Sequence, residues 1–159
     1  RIIPNFIRVN ADELTYPLHI ILRYKLEQAL MCGDLLVPDL PGAWNDAFES
    51  SFGTRPPDDL QGCLQDIHWY DGAFGYFPTY TLGAFAAAQL FSTAIKDHPD
   101  MLTQISKGNF CTLLDWLRKN VHSIGSALST EEILIKATGS SLSTTSFLLH
   151  LNNRYLSEA

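Results

Sequence analysis

Apolar side chains recur along this chain at steps of three and four residues, which is the period of an α-helix. The longest such series runs through Leu14, Leu18, Ile21, Leu22, Leu26, Ala29 and Leu30. This spacing puts apolar side chains on one helix face, which can bury them against a neighbouring element. No stretch sustains the alternation that a β-strand requires. The sequence therefore predicts an all-α fold.

Capping and helix-breaking residues set the predicted helix boundaries. Asn10 and Glu13 have the spacing of a capping box, but Pro17 is tolerated only in a first turn and favours a later start for the first helix. Gly33 is expected to end that helix. Further helices are predicted over residues 41–52, 59–66, 78–96, 101–107, 109–122, 129–139 and 143–156. Gly53 is expected to end the helix over 41–52, and Ser129 and Glu132 have the spacing of a capping box that opens the helix over 129–139.

The composition leaves two arrangements open. The 159 residues suit one domain or a piece of a larger one. Hydrophobic residues make up 46% and charged residues only 18%, below the usual charged share of about 25%. A chain with so few charges either packs a dense helical core or keeps apolar surface for a missing part of the same protein or a second subunit.

The net charge argues against nucleic acids and anionic membranes as partners. The 11 Lys and Arg residues are outnumbered by 17 Asp and Glu, which gives a net charge of −6. No segment groups its Lys and Arg residues into a basic patch that could bind a polyanion. The most apolar stretch, residues 80–94, is too short and too polar to span a bilayer. We predict a buried helix there.

The cysteines indicate the redox environment. Cys32, Cys63 and Cys111 are odd in number, widely separated and without C-x-x-C spacing. This pattern favours reduced thiols in a cytoplasmic protein over a disulfide scaffold. We expect all three to be small buried apolar groups.

The first candidate functional group is Arg8, which lies just before the first predicted helix, with Asp12 four residues later. A guanidinium held by a neighbouring carboxylate is prepared to bind an external carboxylate through parallel hydrogen bonds. The alternative is an ordinary local ion pair at a helix N-terminus, worth a few tenths of a kcal/mol.

The second candidate is the aromatic and glycine-rich stretch from His68 to Tyr80. Tyr76 follows a glycine and precedes the proline that opens a helix, so its hydroxyl can be aimed into a cleft and donate to a developing oxyanion. His68 can donate or accept a proton in the same place. The alternative is a loop buried by its aromatic groups, with Trp69, Phe74 and Phe77 as core.

These two stretches resemble motifs of the M32 (thermostable carboxypeptidase) family of zinc metallopeptidases. Residues 7–16, read I-R-V-N-A-D-E-L-T-Y, resemble the family's I-R-x-x-A-D segment. Residues 66–83, read D-I-H-W-Y-D-G-A-F-G-Y-F-P-T-Y-T-L-G, resemble its G-Y-F-P-T loop and surroundings. The segments L-E-Q-A-L and D-L-P-x-A-W-N also fit, so the resemblance covers essentially the whole chain in order.

The resemblance implies the all-helical, neurolysin-like form of the thermolysin-type peptidases and the stepwise removal of residues from peptide C-termini. It implies that Arg8, with Asp12, binds the substrate's free carboxylate. Tyr76 would hydrogen-bond that carboxylate or the tetrahedral intermediate, and His68 would line the same cleft. Members of the family are typically homodimers, and peptides with a free C-terminus would be the substrates.

The chain departs from the family pattern at the metal. The family binds zinc through H-E-x-x-H and a downstream Glu, in which two His one helical turn apart share the ion. This chain has no such motif, and its histidines at 19, 68, 98, 122 and 150 have no metal-ligand spacing. We therefore expect residues 1–159 to be one helical segment, the C-terminal part of a larger catalytic domain. Zinc, or another divalent metal, would be held by residues upstream of Arg1, and the chain alone would be inactive.

Two other functions remain open from the sequence. One is a non-catalytic helical module that binds peptides or carboxylates, or scaffolds partners. The other is a related helical metallopeptidase that cleaves internal bonds. An upstream H-E-x-x-H distinguishes an enzyme from the module, and discrimination between free and amidated C-termini distinguishes the two kinds of peptidase.

Overall fold

The computed structural model describes residues 2–156, and all regular secondary structure in that range is helical, with no strand. The all-α prediction is confirmed. Seven α-helices follow in chain order: α1 Tyr16–Cys32, α2 Leu40–Phe52, α3 Pro78–Asp97, α4 Met101–Ser106, α5 Cys111–Asn120, α6 Thr130–Thr138 and α7 Thr145–Tyr155. Short 3₁₀ turns occupy Arg8–Asn10, Val37–Asp39 and His122–Ile124.

The chain divides into two compact units at Thr81, and each unit has its own apolar core. The first unit is built on α1 and α2, where Leu22, Leu26, Trp44, Phe48 and Cys63 form a buried cluster. The second unit has a smaller cluster of Ala94, Met101 and Trp116.

Helix α1 begins at Tyr16, immediately before Pro17. Pro17 lies in its first turn, where a missing N–H costs nothing, and Gly33 ends it at a positive φ of 80°. The capping box predicted at Asn10 and Glu13 is wrong. Instead, Asp12 Oδ1 accepts the backbone N–H groups of Leu14 and Thr15 at 3.0 and 2.9 Å, forming a turn ahead of the helix.

The helix predicted over residues 59–66 is also wrong, because a side chain replaces the helical backbone bond. The Gln65 amide donates to the carbonyls of Gln61 and Gly62 at 2.9 and 3.1 Å, while the Gln65 backbone N–H reaches only the Gly62 carbonyl. The segment is therefore a series of turns that carries the chain from α2 to the aromatic loop.

The helices of the second unit lie closer to the ranges predicted from the sequence. Pro78 opens α3, and α6 has the predicted capping box, with Ser129 Oγ accepting from the Glu132 N–H and Glu132 accepting from the Ser129 N–H. The loop after α6 is tied to α3 by buried Gln89, whose amide donates to Ser140 and whose oxygen accepts the Ser143 N–H. The predicted helix over residues 109–122 is shorter, ending at Asn120.

All three cysteines are free thiols. Only Cys63 is buried, whereas Cys32 and Cys111 are exposed, so the expectation of three buried thiols is wrong for two of them. Burial in the first unit raises the pKa of the Cys63 thiol. Within the described range, no helix is both long enough and apolar enough to cross a membrane.

His19 lies in the core of the first unit. Its ring is fully buried, with centroids 5.6 Å from that of Phe48 and 4.7 Å from that of Phe52. Burial, and next the charge of Arg23, disfavours the imidazolium and lowers the pKa of His19 from 6.5 to about 4.

The depressed pKa of His19 predicts a loss of stability in acid. As the pH falls below 6.5, the unfolded chain takes up this proton before the folded chain does, and the difference accumulates until about pH 4. The expected loss is ~3 kcal/mol of unfolding free energy. It should be measured by urea unfolding from pH 7.5 to pH 4. His19→Gln should have a shallower dependence over this window, whereas exposed His122→Gln should follow the parent; equal slopes in all three would contradict the assignment.

The capping box of α6 predicts a second, smaller contribution to the unfolding free energy. Ser129→Ala removes the acceptor for the Glu132 N–H and should cost about 1 kcal/mol of unfolding free energy. Denaturant unfolding at pH 7 measures it. Ser126→Ala, in the exposed turn just before, is the matched control and should change stability by less than about 0.5 kcal/mol. Equal losses would show that the cap contributes nothing specific.

Candidate functional site

The segment before α1 is held in place by the turns of residues 58–65. The Arg8 N–H donates to Gln65 Oε1 at 2.8 Å, and Gln65 Nε2 donates to the Phe6 carbonyl at 3.0 Å. A side chain 57 residues further along therefore fixes the backbone at Arg8. Arg8 itself is buried, with 6% of its surface exposed.

The carboxylate that holds Arg8 is Asp66. Arg8 Nε and Nη2 both donate to Asp66 Oδ1, at 3.0 and 2.7 Å, and Nη1 donates to the Tyr16 hydroxyl at 2.7 Å. The expected Asp12 partner is wrong. Asp12 Oδ1 accepts backbone N–H groups in its own turn, and the Arg8 guanidinium is bonded to Asp66 and Tyr16 instead. Three of the five guanidinium N–H groups are engaged, which leaves two donors, one on each terminal nitrogen.

A second arginine shares the same carboxylate. Arg23 Nε donates to Asp66 Oδ2 at 2.6 Å, and Arg23 Nη1 donates to the His19 carbonyl at 2.9 Å. The Arg23 side chain is fully buried, and its guanidinium lies 4.6 Å from the centre of the Trp44 ring. Arg23 Nη2 has no hydrogen-bond partner within the described residues.

The buried cluster of Arg8, Arg23 and Asp66 has an excess of positive charge. Burial works to lower the pKa of Arg8, but the hydrogen bonds and charge of Asp66 outweigh it and raise that pKa. Burial lowers the pKa of Arg23 to about 10, so it stays charged at neutral pH. Burial works against the Asp66 carboxylate as well, but the charge of Arg23 and the bonds from both arginines hold its pKa below the ordinary value. Two cations and one anion leave one net positive charge.

Aromatic rings surround the Arg8 guanidinium. Its carbon lies 5.0 Å from the centre of the Tyr80 ring, 5.8 Å from that of Tyr16 and 5.9 Å from that of Phe77. Ring faces at these distances attract a cation and keep water away from it.

The other two predicted residues, His68 and Tyr76, join this cluster through Tyr80. His68 Nε2 and the Tyr80 hydroxyl are hydrogen-bonded at 2.9 Å, and the Tyr76 ring is centred 5.7 Å from His68 and 5.5 Å from Tyr80. His68 Nδ1 is buried, 4.0 Å from Asp66 Oδ1, and has no hydrogen-bond partner among residues 2–156. Tyr76 is 49% exposed and forms the outer edge of the cluster. All of these side chains belong to the first unit.

The loop that carries Tyr76 is attached to α1 by Glu27. Its Oε2 accepts the Trp69 indole N–H at 2.8 Å, and its Oε1 accepts the backbone N–H of Gly75. Gly75 has a positive φ of 78°, which favours glycine. Of the three aromatic residues expected as core, Phe77 is buried, Trp69 is partly buried and Phe74 is 47% exposed.

A metal site would need several ligands close together. Within the part of the chain that the structure describes, no three His, Cys, Asp or Glu side chains are grouped so that they could hold an ion. A metal ion would therefore need ligands from outside residues 2–156.

Sequence reasoning missed most of the partners that make the site. Asp66, Tyr80 and Glu27 lie inside the motifs quoted above, but no role was predicted for them, and none was predicted for Arg23. A signal was present, because His19, Arg23 and Glu27 follow each other at four-residue steps along the first helix. All three are buried on one face of α1. Such a polar row at helical spacing indicates an internal network.

Comparison with known proteins places the chain in a family. Residues 1–155 match the family model described as Carboxypeptidase Taq (M32) metallopeptidase. The chain is 43% identical to Carboxypeptidase 1 of Bacillus subtilis over 96% of its length and 42% identical to Thermostable carboxypeptidase 1 of Pyrococcus furiosus, also over 96%. It spans about a third of these relatives, 30% and 31% of their lengths.

A solved structure agrees with the sequence comparison. Trypanosoma cruzi metallocarboxypeptidase 1 superimposes with a TM-score of 0.93 and 42% identity, over 98% of this chain and 33% of that one. The helical fold, the family match along nearly the whole chain and the shared sequence motifs together lead to one conclusion: this chain belongs to the M32 family of metallopeptidases.

Proposed function

We propose that this chain is the part of an M32 metallocarboxypeptidase that binds the C-terminal carboxylate of its peptide substrate. The observation that carries the proposal is the excess positive charge of the cluster of Arg8, Arg23 and Asp66, with two Arg8 donors left over. Buried charge is unfavourable unless it is paired, so such a cluster favours one further anion.

The chemistry of Arg8 suits a carboxylate. A guanidinium forms strong charge-assisted hydrogen bonds with carboxylate oxygens, and they are strongest where water is excluded. Because Asp66 and Tyr16 hold Arg8 in one orientation, little conformational entropy is lost when a ligand binds. A peptidase that removes terminal residues must recognise that terminal charge.

Tyr76 and His68 support the same function from the outer side of the cluster. The Tyr76 hydroxyl forms no hydrogen bond within the described residues and can donate to the substrate carboxylate or to an oxyanion without carrying charge itself. His68 contacts the same rings and acts through its bond to Tyr80. Asp12 takes part only by shaping the turn that precedes α1.

Access to the site has an order. Tyr76 is half exposed, whereas the Arg8 side chain has 7% of its surface exposed. An incoming carboxylate therefore meets the Tyr76 phenol first and reaches the guanidinium only when a covering ring, such as that of Tyr80, shifts outward.

The proposal assigns the metal to another part of the enzyme. Zinc or another divalent ion would supply the hydrolytic chemistry, with ligands outside this chain, since the described residues offer no site. Residues 1–159 would then be one helical segment of a larger catalytic domain. We also propose that the protein is a cytoplasmic homodimer. Exposed apolar side chains such as Leu36 and Val37 are compatible with burial against another part of the same protein or against a second subunit.

Arg8→Lys tests the carboxylate-binding role in the complete carboxypeptidase, meaning this chain joined to its metal-binding part. Lysine keeps a charge but cannot bind a carboxylate through two nitrogens or keep both contacts to Asp66. We expect kcat/KM for peptides with a free C-terminus to fall about 100-fold, corresponding to about 3 kcal/mol. The exposed Arg55→Lys is the matched control and should leave kcat/KM unchanged.

Amidated peptides complete this test. The parent should cleave them poorly, and Arg8→Lys should affect them little, so that discrimination between free and amidated peptides is largely lost. A parent that cleaves both kinds equally would be an endopeptidase. A complete protein that binds free carboxylates but hydrolyses no peptide when supplied with zinc, cobalt or manganese would be a binding module.

The isolated 159-residue chain gives a further prediction. Because no three potential metal ligands are grouped among its described residues, it should release no amino acid from peptides, with or without added zinc. Release of C-terminal amino acids can be followed by mass spectrometry at high protein concentration. Chelator-sensitive activity of the isolated chain would contradict the division of roles proposed above.

A further inference from the structure

Glu27 is a buried carboxylate with no cation beside it. It is 6% exposed, and none of the ion pairs formed by the described residues includes it. Burying a carboxylate is unfavourable, so its hydrogen bonds must compensate for the lost hydration. Its two oxygens each accept one hydrogen bond, from Trp69 and from Gly75.

Both partners of Glu27 are donors, which explains why a carboxylate and not an amide occupies this position. A Gln side chain has one acceptor oxygen, and its NH₂ group would face an N–H group. One of the two bonds would be lost and a buried donor left without a partner. The position therefore requires a group that only accepts hydrogen bonds.

The two donors lie near opposite ends of the loop between Asp66 and Pro78, and the second is immediately before Tyr76. On the other side of Tyr76, its carbonyl accepts the Thr79 N–H at 3.0 Å and the Thr79 hydroxyl at 2.7 Å. The backbone at Tyr76 is therefore fixed from α1 on one side and from the first turn of α3 on the other. The Tyr76 side chain is half exposed and has the rings of His68 and Tyr80 beside it, so these backbone contacts help to define where its phenol lies.

We propose that Glu27 is a positioning residue for Tyr76, which acts by fixing Gly75 and so aims the Tyr76 phenol at the ligand held by Arg8. This inference rests on the proposed function and goes beyond it by assigning a role to a residue that touches no substrate. Helix α1 carries Arg23, which orients the Asp66 that binds Arg8, and Glu27 one turn later. One rigid helix thus sets the distance between the two groups that hold the substrate.

The test is a double-mutant cycle in the complete carboxypeptidase with free-acid peptides. Glu27→Gln should lower kcat/KM about 10-fold, and Tyr76→Phe should lower it by a similar or larger factor. In the double variant, Glu27→Gln should add less than about twofold, because a phenol that has been removed cannot be misplaced. Glu49→Gln, an exposed carboxylate on α2 bonded to Arg55, is the matched control and should leave kcat/KM unchanged.

A merely structural role for Glu27 predicts a different result. The Glu27→Gln loss would then be the same whether or not the Tyr76 hydroxyl is present, and that additivity would overturn the inference. If Glu27→Gln does not fold, Trp69→Phe takes its place, since it removes one donor and leaves the carboxylate. It should lower kcat/KM about threefold with the same non-additivity, and additive losses would again count against the role.

Different experimental results would overturn the proposed function and the positioning role of Glu27. A parent that does not discriminate free from amidated C-termini would overturn the proposed function and this inference with it. A Tyr76→Phe variant with full activity would overturn the roles of Tyr76 and Glu27 and leave carboxylate binding by Arg8 in place. A loss in Tyr76→Phe without any loss in a folded Glu27→Gln variant would overturn the positioning role alone.

Discussion

The Asp66 carboxylate joins three parts of the first unit that are far apart in the sequence. Its Oδ1 holds Arg8 in the segment before α1, and its Oδ2 holds Arg23 inside α1, while Asp66 itself begins the aromatic loop. Both guanidinium groups are buried, so removal of this carboxylate would leave two cations without a counter-ion. Breaking a buried pair in this way typically costs about 3–5 kcal/mol. The geometry of the candidate site depends on this one side chain.

The placement of charge in this chain explains why such a cluster indicates function. Only 18% of the residues are charged, yet Arg8, Arg23, Glu27 and Asp66 are taken into the interior of one unit. Ion pairs of this kind add little net stability compared with apolar packing. Within this set, the cluster of Arg8, Arg23 and Asp66 has one positive charge in excess and two unused Arg8 donors, so the anionic ligand proposed above accounts for it better than stability does. Exceptions to local packing rules tend to lie at functional sites.

The parts of the fold that the sequence predicted correctly are those that depend on neighbouring residues. Gly33 and Gly53 end helices because each takes a positive φ that favours glycine, and Ser129 opens α6 through a bond to a residue three positions on. The failures have a different cause. The segment 59–66 is not a helix because the Gln65 amide competes for its carbonyls and also holds Phe6, a contact that no local pattern reveals.

The sequence by itself determined the helical fold, most of the helix ends and the family, and it singled out Arg8, His68 and Tyr76 as the residues to examine. Only the tertiary structure decided which side chains hold them. Arg8 is paired with a carboxylate 58 residues away and not with the one four residues away, although Asp12 Oδ2 has no hydrogen-bond partner among the described residues. Local geometry is fixed by covalent neighbours, whereas the partner of a buried charge is fixed by which elements pack together, and that information is spread over the whole unit.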